Sequence, residues 1–133
     1  MGHVFEEESL DIIDSVLKDD IMGTGANCVF LLDLAGNIIS SFESSENKHD
    51  LCSLAALAAA NFVALNAMAK LIGEDEFSVV FHKGKKENIH FSKVLDDFLL
   101  AVTFGEKVSM GALRLKVDEA QKKLQDVLNT PKR

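Results

Sequence analysis

Residues 51–72 read LCSLAALAAANFVALNAMAKLI, and the stretch 54–69 within them carries no charge. Ala and Leu dominate it, and both are strong helix formers. Asp50 or Ser53 offers an N-terminal cap and Gly73 a stop, so a long helix is expected here. The uncharged run is shorter than the roughly 20 apolar residues a bilayer core requires. Asn61 and Asn66 also interrupt it. A buried helix of a water-soluble domain is therefore expected, with no integral membrane segment.

A helix on the surface of a small domain needs one apolar face. This one has more. Leu54, Leu57, Ala58, Leu65 and Met68 suit one side, and Ala55, Ala59, Phe62, Val63, Ala69 and Ile72 another. Polar positions are few: Ser53, Asn61, Asn66 and Lys70. One sheet covers one side only. The other must be covered by the first and last helices of the same chain or by a second copy. Small alanines permit close helix approach, which favours the second copy and hence a homodimer. The candidate interface positions on this helix are Leu54, Ala55, Leu57, Ala58, Asn61, Phe62 and Leu65. A buried Asn61 or Asn66 amide would need a hydrogen-bond partner, which a two-fold axis supplies from its own copy.

Outward from this helix the elements are short and closely spaced. Residues 7–18 place Leu10, Ile13, Val16 and Leu17 at helical spacing, with Asp11 and Asp14 opposite. The apolar run 28–33 reads as a central strand. Leu34-Ala35-Gly36-Asn37 makes a turn, and 38–42 a second strand, so a hairpin is expected. Residues 77–82, 87–94 and 98–104 read as three further strands joined by Gly84-Lys85-Lys86 and Asp96-Asp97. Met110, Leu113, Val117, Ala120, Leu124 and Val127 form the stripe of a final helix. The order α-ββ-α-βββ-α with short connections predicts an antiparallel sheet with helices against it. The 133 residues suit one domain.

Charge and motifs narrow the function. Residues 1–50 carry eleven acids against two lysines, and the remainder ten acids against twelve bases. An acidic chain without a basic stripe excludes general nucleic-acid binding. The N-terminus is acidic rather than a basic, then apolar, leader. Cys28 and Cys52 read as reduced side chains, so a cytoplasmic location is expected. Neither GxxxxGK[ST] nor GxGxxG occurs, and Gly23-Thr24-Gly25 is short and follows a helix. Of His3, His49, His82 and His90, only His82 and His90 approach a metal pair, across the Gly84 hairpin. Alternation puts both on the polar side of their strands, and no third ligand is evident. Lys83, Lys85 and Lys86 form a basic hairpin tip, and Glu6-Glu7-Glu8 an acidic helix start, both most simply solvated. No catalytic residue, metal or cofactor is assigned.

The segment from Val29 to Ile38, VFLLDLAGNI, is an apolar strand followed by Asp33, two residues, Gly36 and the aliphatic Ile38. It resembles the first hairpin of the roadblock / dynein-light-chain family. The Ala-rich helix, the three-strand run and the final helix follow in that family's order, over residues 8–128. The resemblance implies an α/β sandwich (α+β) with a five-stranded antiparallel sheet. It implies homodimers in which the long second helices pack together and the third strands pair edge to edge. Here those elements are 51–72 and 77–83, with Phe77, Ser78, Val79, Val80 and Phe81 on the edge strand.

A short chain with both terminal helices looks most like the bacterial MglB-like type. That type implies a Ras-like small GTPase (MglA type) as partner, in the control of cell polarity and motility. GTPase activation often uses an inserted arginine. This chain has Arg114, inside the last helix, and Arg133, the final residue. No arginine finger is assigned, and activation is expected to act through the partner's own catalytic residues. The alternatives are a non-catalytic scaffold or adaptor and, more weakly, a small-molecule sensor.

Overall fold

The computed structural model describes residues 5–44, 50–74 and 79–129, the side chains of Val79 and Val80 excepted. Phe77 and Ser78 of the expected third strand, His3, His49 and the basic chain end with Arg133 lie outside the described residues. The elements in chain order are α1 (Glu7–Ser15), β1 (Cys28–Asp33), β2 (Ile38–Glu43), α2 (Leu51–Leu71), β3 (Val79–Lys83), β4 (Glu87–Val94), β5 (Phe98–Gly105) and α3 (Met110–Leu128). The strands form one sheet in the order β2-β1-β5-β4-β3, with every neighbouring pair antiparallel.

The first helix is longer than the expected 7–18. It continues into a π-helical turn, Val16–Ile21, and a 3-10 turn, Met22–Thr24. Burial drives the extension, because Ile13, Val16, Leu17 and Ile21 are all core residues. Gly25 ends it with φ +94°, a conformation that costs glycine little.

The sheet is covered on both faces. On one side α1, its extension and α3 bury Val29 and Leu31 of β1 and Leu100, Val102 and Phe104 of β5. On the other, α2 buries Cys28, Phe30, Leu32, Leu99 and Ala101. Each central strand thus sends alternate residues into two apolar layers. That is why β1 and β5 read as unbroken apolar runs instead of alternating ones. Cys28 sits so deeply that burial, reinforced by the Glu43 and Glu87 carboxylates, raises its thiol to about 12. A bulge at the Leu31/Leu32 step of the β1–β2 ladder turns Ile38 toward α2. Ser40, on the other side of the bulge, donates its hydroxyl to Asp14 of α1.

The third helix buries Leu113, Val117, Ala120 and Leu124, the stripe expected from spacing. Ser109 caps it by accepting the Ala112 amide at 3.4 Å. Gln121 donates to the Lys93 carbonyl at 2.6 Å, and Lys123 pairs with Asp20 at 2.8 Å. These contacts hold α3 across β4 and the N-terminal helix. Neither α1 nor α3 packs on α2, because the sheet lies between them. The possibility that the terminal helices cover the second face of α2 is thereby removed.

Candidate interaction surface

Asp50 opens α2: its carboxylate accepts the Ser53 amide at 3.2 Å and the Ser53 hydroxyl at 2.7 Å. These bonds, the hydroxyl first, hold the Asp50 carboxyl below the usual aspartate range. Between Asp50 and Gly73 the helix divides into two faces. Ala55, Ala58, Ala59 and Phe62 are buried against the sheet, and Ala69, nearer the C-terminal end, is buried too. Burying Phe62 alone contributes about 1.5–3 kcal/mol.

Opposite them lie Leu57, Val63, Met68 and Leu71, which expose 67%, 54%, 57% and 86% of their surface. Ala60, Ala64 and Ala67 fill the gaps at helical spacing and are exposed too. The outward stripe is therefore as apolar as the inward one, and its largest members are bare. An apolar patch running the length of a helix marks an association surface in a small domain. By length and composition α2 is also apolar enough to cross a membrane, yet its inward face is committed to the sheet.

The structure separates the expected interface positions. Leu57 and Asn61 face outward, and Leu54 and Leu65 are half-buried at the margins. Ala55, Ala58 and Phe62 point into the chain's own core, which corrects their assignment to an interface. A helix apolar all round gives no periodic signal of which face meets the sheet, so spacing could not separate the two sets. Asn66, half-buried, leaves its Oδ1 without a hydrogen-bond partner among the described residues.

The last strand, β3, ends the sheet, and no described strand pairs with its outer edge. Inward, Val79 and Val80 pair with Ser92 and Phe91, and Phe81 with His90. The Phe81 ring is partly exposed and stacks on Phe104 with centroids 6.1 Å apart. An open edge beside an exposed apolar helix is a template for adding another strand.

At the far corner of the sheet, the family motif proves to be a turn device. Asp33 is buried and accepts the amides of Ala35 and Asn37. Gly36 has φ +92°, and Ile38 packs into the α2 layer.

The two central histidines do not form a pair. His82 packs edge-on to Phe91 on the α2 side. His90, opposite Phe81 and Val102, faces α3 and is only 2% exposed. This corrects the expectation that both lie on a polar side. Strand β4 is buried on both faces near His90, so alternation there does not separate polar from apolar. Both ring nitrogens of His90 lack a hydrogen-bond partner among the described residues, and the Ser92 and Thr103 hydroxyls are likewise unpaired. Ser92 shares the α3 face with His90, whereas Thr103 alternates onto the α2 face, and sequence reasoning singled out neither hydroxyl because nothing in their spacing resembles a site. Arg114 is exposed on α3, within the helix and not on a projecting loop.

Residues 22–104 match the family model of the Roadblock/LC7 domain. Among solved structures, the chain is similar to Myxococcus xanthus MglB at 35% identity, with 98% of each chain covered and a TM-score of 0.88. It is similar to the gliding protein MglB of Thermus thermophilus at 26% identity, with 95% of each chain covered and a TM-score of 0.88. An MglB described with a tetrameric arrangement matches at 26% identity over 95% of this chain and 94% of that one, TM-score 0.88. No curated protein matches.

Proposed function

The chain belongs to the Roadblock/LC7 family, and on that premise we propose that it is a homodimeric, cytoplasmic regulator that activates a Ras-like small GTPase of the MglA type. The observation that carries the proposal is the bare apolar stripe of α2, from Leu57 to Leu71, which no other described element covers. Packing that stripe against its own copy removes it from water. The open edges of β3 would meet at the same boundary and join two sheets into one. Leu57, Asn61 and Phe81 are then interface residues, with Val79 and Val80 supplying backbone bonds.

A dimer built this way presents a paired surface to a third protein. The MglB name shared by the similar structures, one of them called a gliding protein, supports a GTPase of cell polarity and motility as that protein. Activation needs no catalytic group from this chain. GTP hydrolysis depends on positioned water and neutralised phosphate charge, both of which the GTPase can supply itself. A partner that binds the active arrangement more tightly raises its population. A tenfold preference is worth about 1.4 kcal/mol.

The test is phosphate release from an MglA-type GTPase at saturating GTP, with and without the full chain. Stimulated turnover, abolished by a charge on the α2 stripe, is the expected result. Binding with unchanged turnover would leave a scaffold in its place.

A further inference from the structure

Three lysines line one cleft where β5 ends. The β3–β4 turn carries Lys85 and Lys86, and the loop from β5 to α3 carries Lys107. They border this cleft of about 720 Å³ together with Asn27 and Ser44. Its apolar wall includes Ala26 and Val108, both buried in the core beneath. All three lysines are exposed. The ion pairs found among the described residues involve Lys93, Lys116 and Lys123, and none of these three.

Like charges around one concavity repel each other and focus a positive potential within it. Three acids stand at this end of the sheet, Glu43, Glu87 and Glu106. Glu43 and Glu87 occupy strand positions that alternate onto the α2 face, beside Cys28. Glu106 is the acid that lines the cleft.

We propose that this cleft binds a multiply charged phosphate carried on an apolar body. Three ammoniums against Glu106 leave an excess that a single carboxylate cannot neutralise, whereas a phosphate monoester brings about −1.5 to −2 at neutral pH. Lysine acts as a point charge on phosphate and needs no fixed fork geometry, which suits side chains on a hairpin tip. The volume is that of a small-molecule site, typically about 300–1,000 Å³, and the Ala26–Val108 wall accommodates an apolar portion. The same chemistry is offered by a free nucleotide and by a phospholipid with a phosphomonoester head group, such as phosphatidic acid.

The experiment uses the full chain and three probes: inorganic pyrophosphate, ATP, and phosphatidylcholine vesicles containing phosphatidic acid. Pyrophosphate is expected to saturate one site per chain at low salt in calorimetry. The triple variant Lys85→Gln, Lys86→Gln, Lys107→Gln should weaken it by about tenfold or more, and Glu106→Gln should tighten it. These positions are exposed, so melting temperature and oligomeric mass should not change. Competition by ATP assigns the site to a free phosphorylated molecule, and sedimentation with the vesicles, lost in the triple variant, assigns it to a membrane. The proposal is overturned if pyrophosphate shows no saturable binding, if the triple variant binds it as well as the parent chain, or if a polyglutamate peptide displaces it more strongly than ATP does.

Discussion

The Asp33 carboxylate accepts the main-chain amide of Asn37 at 2.9 Å, closing the turn between β1 and β2 with a side chain. The same oxygen accepts the Ala35 amide at 3.0 Å, and the other carboxylate oxygen accepts the Asn37 side-chain amide at 3.0 Å. Asp33 is buried, whereas its donors sit on the exposed Ala35 and Asn37, so water can reach them once the carboxylate is gone. Asp33→Ala is expected to cost about 1–3 kcal/mol, the net contribution of hydrogen bonds to a charged acceptor. Asp33→Asn should recover part of the loss, because an amide oxygen can still accept the two main-chain donors. Urea unfolding measures both. A cost below about 0.5 kcal/mol for the alanine variant would show that the turn does not depend on this carboxylate.

The same turn docks on α2 through a residue that has no side chain. A Cβ on Gly36 would stand 3.2 Å from the Ala56 Cα, and its φ of +92° is one that L residues rarely adopt. Gly36→Ala therefore combines backbone strain with a tight contact against main chain that has little room to give. The expected loss is about 1–3 kcal/mol. A control at Gly73, also at positive φ but with open space around it, should lose less. Equal losses at both positions would mean that the contact with Ala56 contributes nothing.

The two faces of α2 make opposite predictions. Leu57→Glu or Met68→Glu places a charge on the exposed stripe and should leave the monomer folded, with native circular dichroism. Its mass in light scattering should fall to that of one chain. Ala59→Glu places the charge against the sheet beside Phe62 and should unfold the chain, because an isolated buried carboxylate costs several kcal/mol. If Leu57→Glu and Met68→Glu both keep the parent mass, the stripe is not the dimer contact.

These contrasts also mark how far the sequence could be read. The boundaries of α2 were legible because Asp50 and Gly73 are local signals, and 51–72 differs from the observed Leu51–Leu71 by one residue. Its orientation was not legible, because Ala58 and Ala60 are chemically identical and only packing sends one inward and the other out. The antiparallel sheet followed from short connections and apolar runs. The Lys85–Lys107 cleft is different: its members are 22 positions apart in sequence, and only the adjacency of β4 and β5 brings them together. His90 was misplaced for a further reason, since a strand covered on both faces hides a polar residue among apolar ones without disturbing the pattern.

That histidine gives the chain an acid-sensitive point. Burial under α3 holds the His90 imidazole below the usual histidine range, the Arg114 guanidinium adds to this, and the Asp118 carboxylate opposes it. Phe81 and Val102 flank it on the neighbouring strands and supply no charge. The folded chain thus keeps the ring neutral, while the unfolded chain protonates near the ordinary histidine value of 6.5. Above that pH neither state binds the proton, and stability from this group is independent of pH. Below it the unfolded state takes up a proton that the folded state refuses, so stability falls as the pH drops toward the folded value. Denaturant midpoints measured from pH 7.5 down to 5.5 should therefore decline more steeply in the parent chain than in His90→Leu. Arg114→Gln should let the folded ring protonate more readily and so make the decline shallower. If His90→Leu and the parent chain decline in parallel, the ring is not the titrating group.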